Sequence, residues 1–174
     1  MCNRLGISKK RIVGGLLLMI LLVLLDQWTK FLAVAKLKDQ SDVTLIPGIL
    51  DLHYLENRGA AFGMLQNRQW IFVLIGIVFL LIAAYVYLRM PKDRKFLLLG
   101  ITIITIAAGA IGNLIDRVLQ NYVVDFFMTT FINFPVFNVA DIYVTVGTIV
   151  LIISILFVYK DDDFKFLSRK RKDN

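Results

Sequence analysis

Four long apolar stretches organise the sequence, at about residues 12–35, 70–88, 96–115 and 139–159. Each is long enough to cross a bilayer as a helix, which takes about 20 residues. Between the first two stretches the pattern changes, because residues 43–46 and 49–55 read as short strands around a turn at Pro47 and Gly48. We therefore predict a single all-α membrane domain over residues 1–174. It has four transmembrane helices, a small extracytoplasmic β-sheet at about 43–63 between spans one and two, and a frayed tail at 160–174.

Composition and charge placement agree with a membrane protein. Hydrophobic residues make up 58% of the chain and charged residues 19%, whereas soluble domains are about 45–50% apolar. Fourteen of the 20 Lys and Arg residues lie in three short segments: the N-terminus, the turn between spans two and three, and the tail. The positive-inside rule therefore places both termini in the cytoplasm. This topology also accounts for the net charge of +7, so we predict no nucleic acid partner.

The cysteine and histidine inventory excludes several kinds of site. One Cys (Cys2) and one His (His53) rule out a disulfide scaffold and a zinc site built from His and Cys, and we predict no metal and no cofactor. The first span follows a basic segment, as a cleaved signal peptide does. It leads into Asp26 and Lys30 instead of a small-residue cleavage site. We interpret it as a retained helix.

Polar and ionisable residues gather at one depth, near the outer ends of the spans. Such residues are costly within a membrane and are therefore candidates for function. Asp26 and Lys30 are four apart and share one face of span one, while Asp141 lies in the first turn of span four and Asp125 lies in the loop before it. Asn113, Asp116, Arg117 and Asn138 fall at the same level. The inner halves of the spans lack such residues, which favours one site over a conduction path.

Asp125 and Asp141 indicate acid–base chemistry. Both have apolar neighbours in the sequence, and two carboxyl groups held close together share one proton because both cannot ionise side by side. One general base and one general acid acting on water is the chemistry of an aspartic peptidase. For Lys30 a purely structural role, reaching to water, stays open, and so does a local ion pair between Asp116 and Arg117.

Five sequence blocks carry a resemblance to a known family. They are residues 26–30 (DQWTK), 57–63 (NRGAAFG), 108–117 (AGAIGNLIDR), 123–126 (VVDF) and 134–141 (FPVFNVAD). With these blocks in this order, the chain resembles the lipoprotein signal peptidase family, also called signal peptidase II, along nearly its whole length. Ala108 and Ile142 depart from residues that are frequent in the family, but neither departure removes a charged residue.

The resemblance implies an aspartic endopeptidase of the bacterial plasma (inner) membrane, multi-pass, with its active site towards the extracytoplasmic side. Its substrates would be signal peptides of diacylglyceryl-modified prolipoproteins, cut just before the lipidated cysteine. Membrane lipid would surround the acyl chains, and globomycin would inhibit the enzyme. The catalytic pair falls on Asp125 and Asp141. Substrate-binding or supporting roles fall on Asp26, Lys30, Asn57, Gly59, Asn113, Asp116, Arg117 and Asn138. All of these lie on one chain, so we expect a monomer.

Three other functions compete with this interpretation. A proton-coupled transporter needs polar residues through both leaflets, which the inner halves of the spans lack. An intramembrane protease of the prepilin-peptidase or presenilin kind is disfavoured because no Gly-x-Gly-Asp pattern surrounds Asp125 or Asp141. A non-catalytic scaffold for lipidated chains would use the same pocket without needing two carboxylates. Replacing either Asp with Asn separates the scaffold from a peptidase.

Overall fold

The structure is a computed structural model that describes residues 8–59 and 68–168. Within these residues, four helices are long and apolar enough to cross a membrane, which confirms the four predicted spans. The elements in chain order are α1 (Lys9–Leu37), β1 (Val43–Ile46), β2 (Leu50–Asn57), α2 (Gln69–Arg89), α3 (Leu97–Gln120), β3 (Val123–Thr129) and α4 (Val139–Phe157). Two short 3₁₀ helices cover Arg94–Phe96 and Asp161–Leu167.

Helix ends differ from the predicted spans where a backbone cap decides them. α3 reaches Gln120 rather than residue 115, so that Asn113 and Arg117 lie on one continuous helix. It stops there because Asn121 adopts a left-handed conformation (φ 62°) and donates its N–H to the carbonyl of Arg117, a common way to end a helix. α4 ends at Phe157, two residues before the predicted end.

α3 is the central helix of the bundle, and α1, α2 and α4 each pack against it. Its sequence allows close approach, because Ala107, Ala108, Gly109 and Gly112 are small and buried. The other helices keep large apolar side chains on their outer faces, such as Leu81, which is 66% exposed in the isolated chain. Helices that are apolar on all sides suit a lipid environment.

The contact between α3 and α4 depends on a missing side chain at Gly109. A Cβ there would lie 2.5 Å from the carbonyl oxygen of Ala140 and 2.9 Å from Val144 Cγ2. We expect Gly109→Ala to lower the free energy of unfolding by about 1–3 kcal/mol, since backbone must move to admit the methyl group. Gly76→Ala is the matched control: its nearest atom would be 3.6 Å away, and alanine favours a helix by about 1 kcal/mol.

The unfolding midpoint of the purified protein in detergent tests this prediction. It should fall for Gly109→Ala and stay the same or rise for Gly76→Ala. Equal midpoints for both variants would contradict a tight α3–α4 contact.

The sheet has three strands, in the antiparallel order β1–β2–β3. The prediction of a sheet formed only between spans one and two was therefore incomplete; β2, its second strand, runs from Leu50 to Asn57. β3 comes from the connection between α3 and α4, and Asp125 lies within this strand instead of in a loop. Residues 60–63 of the predicted segment lie outside the described residues.

Apolar contacts hold the sheet against the end of α1. Ala33 and Leu37 of α1 pack with Val124 and Phe126 of β3, and all four are buried. Since β3 precedes α4 directly, this contact fixes one carboxyl-bearing strand beside the helical bundle.

The start of α1, the α2–α3 turn and the C-terminal segment meet at the other end of the bundle. Arg11 donates hydrogen bonds to the carbonyls of Pro91 (2.9 Å), Lys92 (3.0 Å) and Asp93 (2.6 Å). The tail is not simply frayed, because residues 161–167 form a 3₁₀ helix whose Phe166 packs into an aromatic and Met90 cluster. Residues 1–7, with Cys2, and 169–174 lie outside the described residues.

Candidate active site

The predicted site residues come together where the sheet meets the C-terminal halves of α1 and α3 and the first turn of α4. One buried asparagine links the two central carboxylates. Asn138 caps α4: its side chain accepts the Asp141 N–H (3.0 Å), and its own N–H donates to Asp141 Oδ2 (3.1 Å). Its Nδ2 donates to Asp125 Oδ1 at 2.6 Å. The reciprocal cap therefore fixes Asp141 on the helix and ties it to Asp125 on β3.

Two further amides complete the hydrogen bonding of the pair. Asn57, at the end of β2, donates from Nδ2 to Asp125 Oδ2 at 2.8 Å. Asn113, on α3, donates from Nδ2 to Asp141 Oδ1 at 2.8 Å. Each carboxylate thus accepts one hydrogen bond on each oxygen, always from an amide. This holds both groups in fixed orientations beside each other.

Burial makes Asp125 unusual among the carboxyl groups of the sheet. Its side chain is 2% exposed, and this desolvation, followed by the nearby charge of Asp141, raises its pKa from 3.8 to about 7. The hydrogen bonds from Asn57 and Asn138 oppose the rise. Near neutral pH, Asp125 is therefore partly protonated, which is the state a shared-proton pair requires.

Lys30 lies behind the pair in a buried charge cluster. Its ammonium lies 3.0 Å from Asp26 Oδ2 and 3.0 Å from Asp116 Oδ2, and it donates to Asn113 Oδ1 at 2.9 Å. Lys30 is 3% exposed, which excludes the alternative of a lysine that reaches to water. The donated bond fixes which end of the Asn113 amide faces Asp141.

The two carboxylates of this cluster also hold backbone in place. Asp26 Oδ1 accepts the N–H of Ala140 at 2.9 Å, which joins α1 to the start of α4. Asp116 Oδ2 accepts the N–H of Val124 at 3.2 Å, which joins α3 to β3. Val124 directly precedes Asp125, and Ala140 directly precedes Asp141. The cluster therefore positions both segments that carry the pair.

Arg117 takes a different position from the predicted one. Its expected ion pair with Asp116 is absent from the described residues, where Asp116 pairs with Lys30 instead. Arg117 donates to the carbonyl of Asn113 (3.3 Å) and stacks over the Phe72 ring of α2, 5.0 Å from the centroid. The sequence suggested Asp116 as the partner of Arg117 because the two are adjacent. Adjacent side chains on a helix, however, point about 100° apart.

A cavity of about 470 Å³ opens in front of the pair. Asn57, Gly59 and Arg117 line it together with Asp125 and Asp141. Gly59 is buried and donates its N–H to Asn57 Oδ1 at 3.0 Å. The remaining wall was not predicted as part of the site and is mostly apolar; it consists of Phe134, Pro135, Val136, Phe137, Ile142, Thr145 and Val146.

The wall residues on α4 were missed although a signal for them exists. Thr145 lies four residues after Asp141, so helical spacing places both on one face. Residues 134–137 precede the Asn138 cap and reach the cavity through the pairing of Phe137 with Phe127 of β3, which the sequence does not reveal. The cavity therefore combines a polar floor with apolar sides, which is typical of ligand-binding pockets.

Comparisons with known proteins agree on one family. A family model described as Signal peptidase (SPase) II matches residues 18–157. A lipoprotein signal peptidase of Clostridioides difficile (strain 630) is 46% identical over 142 residues, which cover 82% of this chain and 94% of that protein. One from Streptococcus pneumoniae (strain ATCC BAA-255 / R6) is 43% identical over 148 residues, or 85% of this chain and 95% of that protein.

Solved structures show the same architecture. A bacterial membrane enzyme determined by the in meso method at 2.3 Å superposes with a TM-score of 0.74 at 32% identity, covering 94% of both chains. A second, at 1.9 Å, has a TM-score of 0.76 at 34% identity and covers 85% of this chain and 96% of that one. The chain is thus a multi-pass membrane protein, and it belongs to the signal peptidase II family of aspartic peptidases, which remove signal peptides from prolipoproteins.

Proposed function

We propose that Asp125 and Asp141 are the catalytic pair with which this signal peptidase cuts its substrate, just before a diacylglyceryl-modified cysteine. The observation that carries the proposal is the link through Asn138, which donates to Asp125 and caps α4 at Asp141, so that both carboxylates face one cavity. Because the pKa of Asp125 is raised to about 7, its carboxyl group can carry the proton of the pair near neutral pH.

The proposed reaction uses both carboxyl groups on one water molecule. Asp141 accepts a proton from the water as it attacks the scissile carbonyl carbon, and protonated Asp125 donates its proton to the carbonyl oxygen. In the collapse of the tetrahedral intermediate, Asp141 returns its proton to the leaving nitrogen as the C–N bond breaks. Asp125 takes back a hydroxyl proton as the new carboxyl group forms. No covalent bond to the enzyme forms.

The surrounding residues are assigned supporting roles by their contacts. Asn57 and Gly59 present polar groups at the rim and suit an extended substrate backbone, while Arg117 lines the same cavity. Asp26, Lys30, Asn113, Asp116 and Asn138 hold the pair in place. The apolar wall of α4, with Ile142 and Val146, faces the region where lipid chains would lie.

Charge and topology support the proposed placement in the cell. Four spans with basic residues at one end favour cytoplasmic termini, so that the pair lies towards the extracytoplasmic side of a bacterial plasma membrane. The sheet then lies on that outer face. All assigned residues are on one chain, which supports a monomer, and globomycin would compete with substrate for the cavity.

The pH dependence of cleavage tests the assigned proton. Since burial raises the pKa of Asp125 to about 7, kcat/KM is expected to hold below that pH and to fall above it by about tenfold per pH unit, as the pair loses its proton. Asn57→Ala removes a hydrogen bond that favours the ionised form, so the pKa rises further and the falling limb should move to higher pH.

Glu56→Gln provides the control for this experiment. Glu56 is the next residue on β2, but its carboxylate pairs with Lys38 and Arg58 instead of the catalytic residues. Its pH profile should match that of the unmodified protein. Two results would be inconsistent with the proposed proton on Asp125. One is a kcat/KM that stays constant from pH 6 to 9, and the other is a falling limb that Asn57→Ala shifts to lower pH.

A further inference from the structure

A second cleft lies at the opposite end of the bundle from the catalytic pair. It has a volume of about 410 Å³ and runs between the first turns of α1 and α3. Ser8, Lys10 and Arg11 line one end of it, and Gly14, Gly100 and Ile101 line its length. A polar, cationic mouth and an apolar channel are thus joined in one concave surface.

The cleft stays open beside Gly14 because this residue has no side chain to fill it. A Cβ at Gly14 would have no atom within 4 Å, so the space beside it is open. The next residue is the opposite case, since a Cβ at Gly15 would collide with the hydroxyl of Tyr87, which donates to the Arg11 carbonyl at 2.9 Å. The packing at Gly15 keeps the helices together, and Gly14 leaves the groove free.

The mouth of the cleft carries uncompensated positive charge. Among the described residues, Lys9, Lys10 and Arg11 form no ion pair with a carboxylate, although six lysine, arginine or histidine residues elsewhere do. The Arg11 guanidinium is fixed by three backbone carbonyls, which do not cancel its charge. Lys10 is exposed, and its three donors suit a phosphate.

We propose that this cleft binds a diacyl phospholipid with an anionic headgroup. The phosphate lies against Ser8, Lys10 and Arg11, and one acyl chain lies along Gly14 and Gly100 between the two helices. The charge at the mouth selects the occupant. A neighbouring cleft of about 360 Å³ between α1, α2 and α3 has a wholly uncharged lining and gives no comparable argument. This site is independent of the assignment of Asp125 and Asp141.

Lipid retention by the full chain tests the proposal. The detergent-purified protein is mixed with phosphatidylglycerol or with phosphatidylcholine of the same acyl chains, and the lipid adducts are counted by native mass spectrometry. We expect phosphatidylglycerol to be retained at least about fivefold more than phosphatidylcholine, and Lys10→Gln to reduce that retention about fivefold, the effect expected of one lysine at an anionic lipid headgroup. Gly14→Phe, which fills the channel, should reduce retention of phosphatidylglycerol as well.

Two variants control for charge and bulk. Lys92→Gln removes a charge at the same end without lining the cleft, and Leu17→Phe adds bulk to a side chain of α1 that is 64% exposed and lies outside it. Both should retain phosphatidylglycerol as the unmodified protein does. Equal retention of the two lipids, equal losses in Lys10→Gln and Lys92→Gln, or unchanged retention in Gly14→Phe would each overturn the site. Lys10 is exposed, so its variant stays informative if Gly14→Phe does not fold.

Discussion

Asp125→Asn and Asp141→Asn are each expected to lower kcat on a lipid-modified prolipoprotein by about three orders of magnitude or more. Each change removes one of the two proton-transfer groups, and positioned acid–base catalysis contributes about 10²–10⁴-fold per group. Asn keeps the size of the side chain and an oxygen that accepts a hydrogen bond. The loss would therefore reflect chemistry more than packing.

The pair should also act as a unit. We expect the double variant to be no slower than either single variant, because the second group has no function once the first is gone. Asp39→Asn is the control: Asp39 is exposed and has a positive φ of 58°, which Asn tolerates well. Near-normal activity in one of the two single variants would mean that the pair is misassigned and that Asp26 or Asp116 is the next candidate.

Lys30→Met is expected to destabilise the protein more than any surface substitution. Lys30 lies 3.0 Å from both Asp26 and Asp116, and all three residues are at most 4% exposed. Removing the cation leaves two carboxylates buried without a counter-charge, which costs about 3–5 kcal/mol. For a chain of this size the unfolding midpoint should fall on the order of 10 °C.

A triple variant separates charge from packing at this cluster. Asp26→Asn and Asp116→Asn, added to Lys30→Met, remove all three charges while an amide oxygen still accepts the backbone N–H groups of Ala140 and Val124. We expect part of the lost stability to return. Lys38→Met removes an ion pair with Glu56 that is partly exposed, and should leave the unfolding midpoint nearly unchanged. If Lys30→Met were as mild as Lys38→Met, the charge cluster would not hold the fold together.

Local spacing in the sequence was enough to predict which polar residues of α1 share a helix face. Asp26 and Lys30 share a helix face at a separation of four, and the structure joins them in an ion pair of 3.0 Å. Asp141 in the first turn of α4 has Asn138 as its cap. Such contacts depend on the 3.6-residue period of a helix, which is fixed before any tertiary structure forms.

Contacts between distant segments could not be predicted in the same way. β3 pairs with β2 across about 70 residues, so nothing near Asp125 indicated that it lies in a strand with Asn57 beside it. The partner of Asp116 was mistaken for the same reason, because Lys30 comes from another helix. Strand register and helix packing are set by tertiary contacts, which local patterns leave open.

One measurement tests the assigned pair most directly: the mass of the product released from a single diacylglyceryl-modified prolipoprotein in micelles. The unmodified protein, Asp39→Asn, Asp125→Asn and Asp141→Asn are compared at equal concentration, each with its unfolding midpoint checked. We predict a product that begins at the modified cysteine from the first two, and no product from the last two over the same time. The same product from either of the last two, at more than about a tenth of the rate of the unmodified protein, would contradict an Asp125–Asp141 pair.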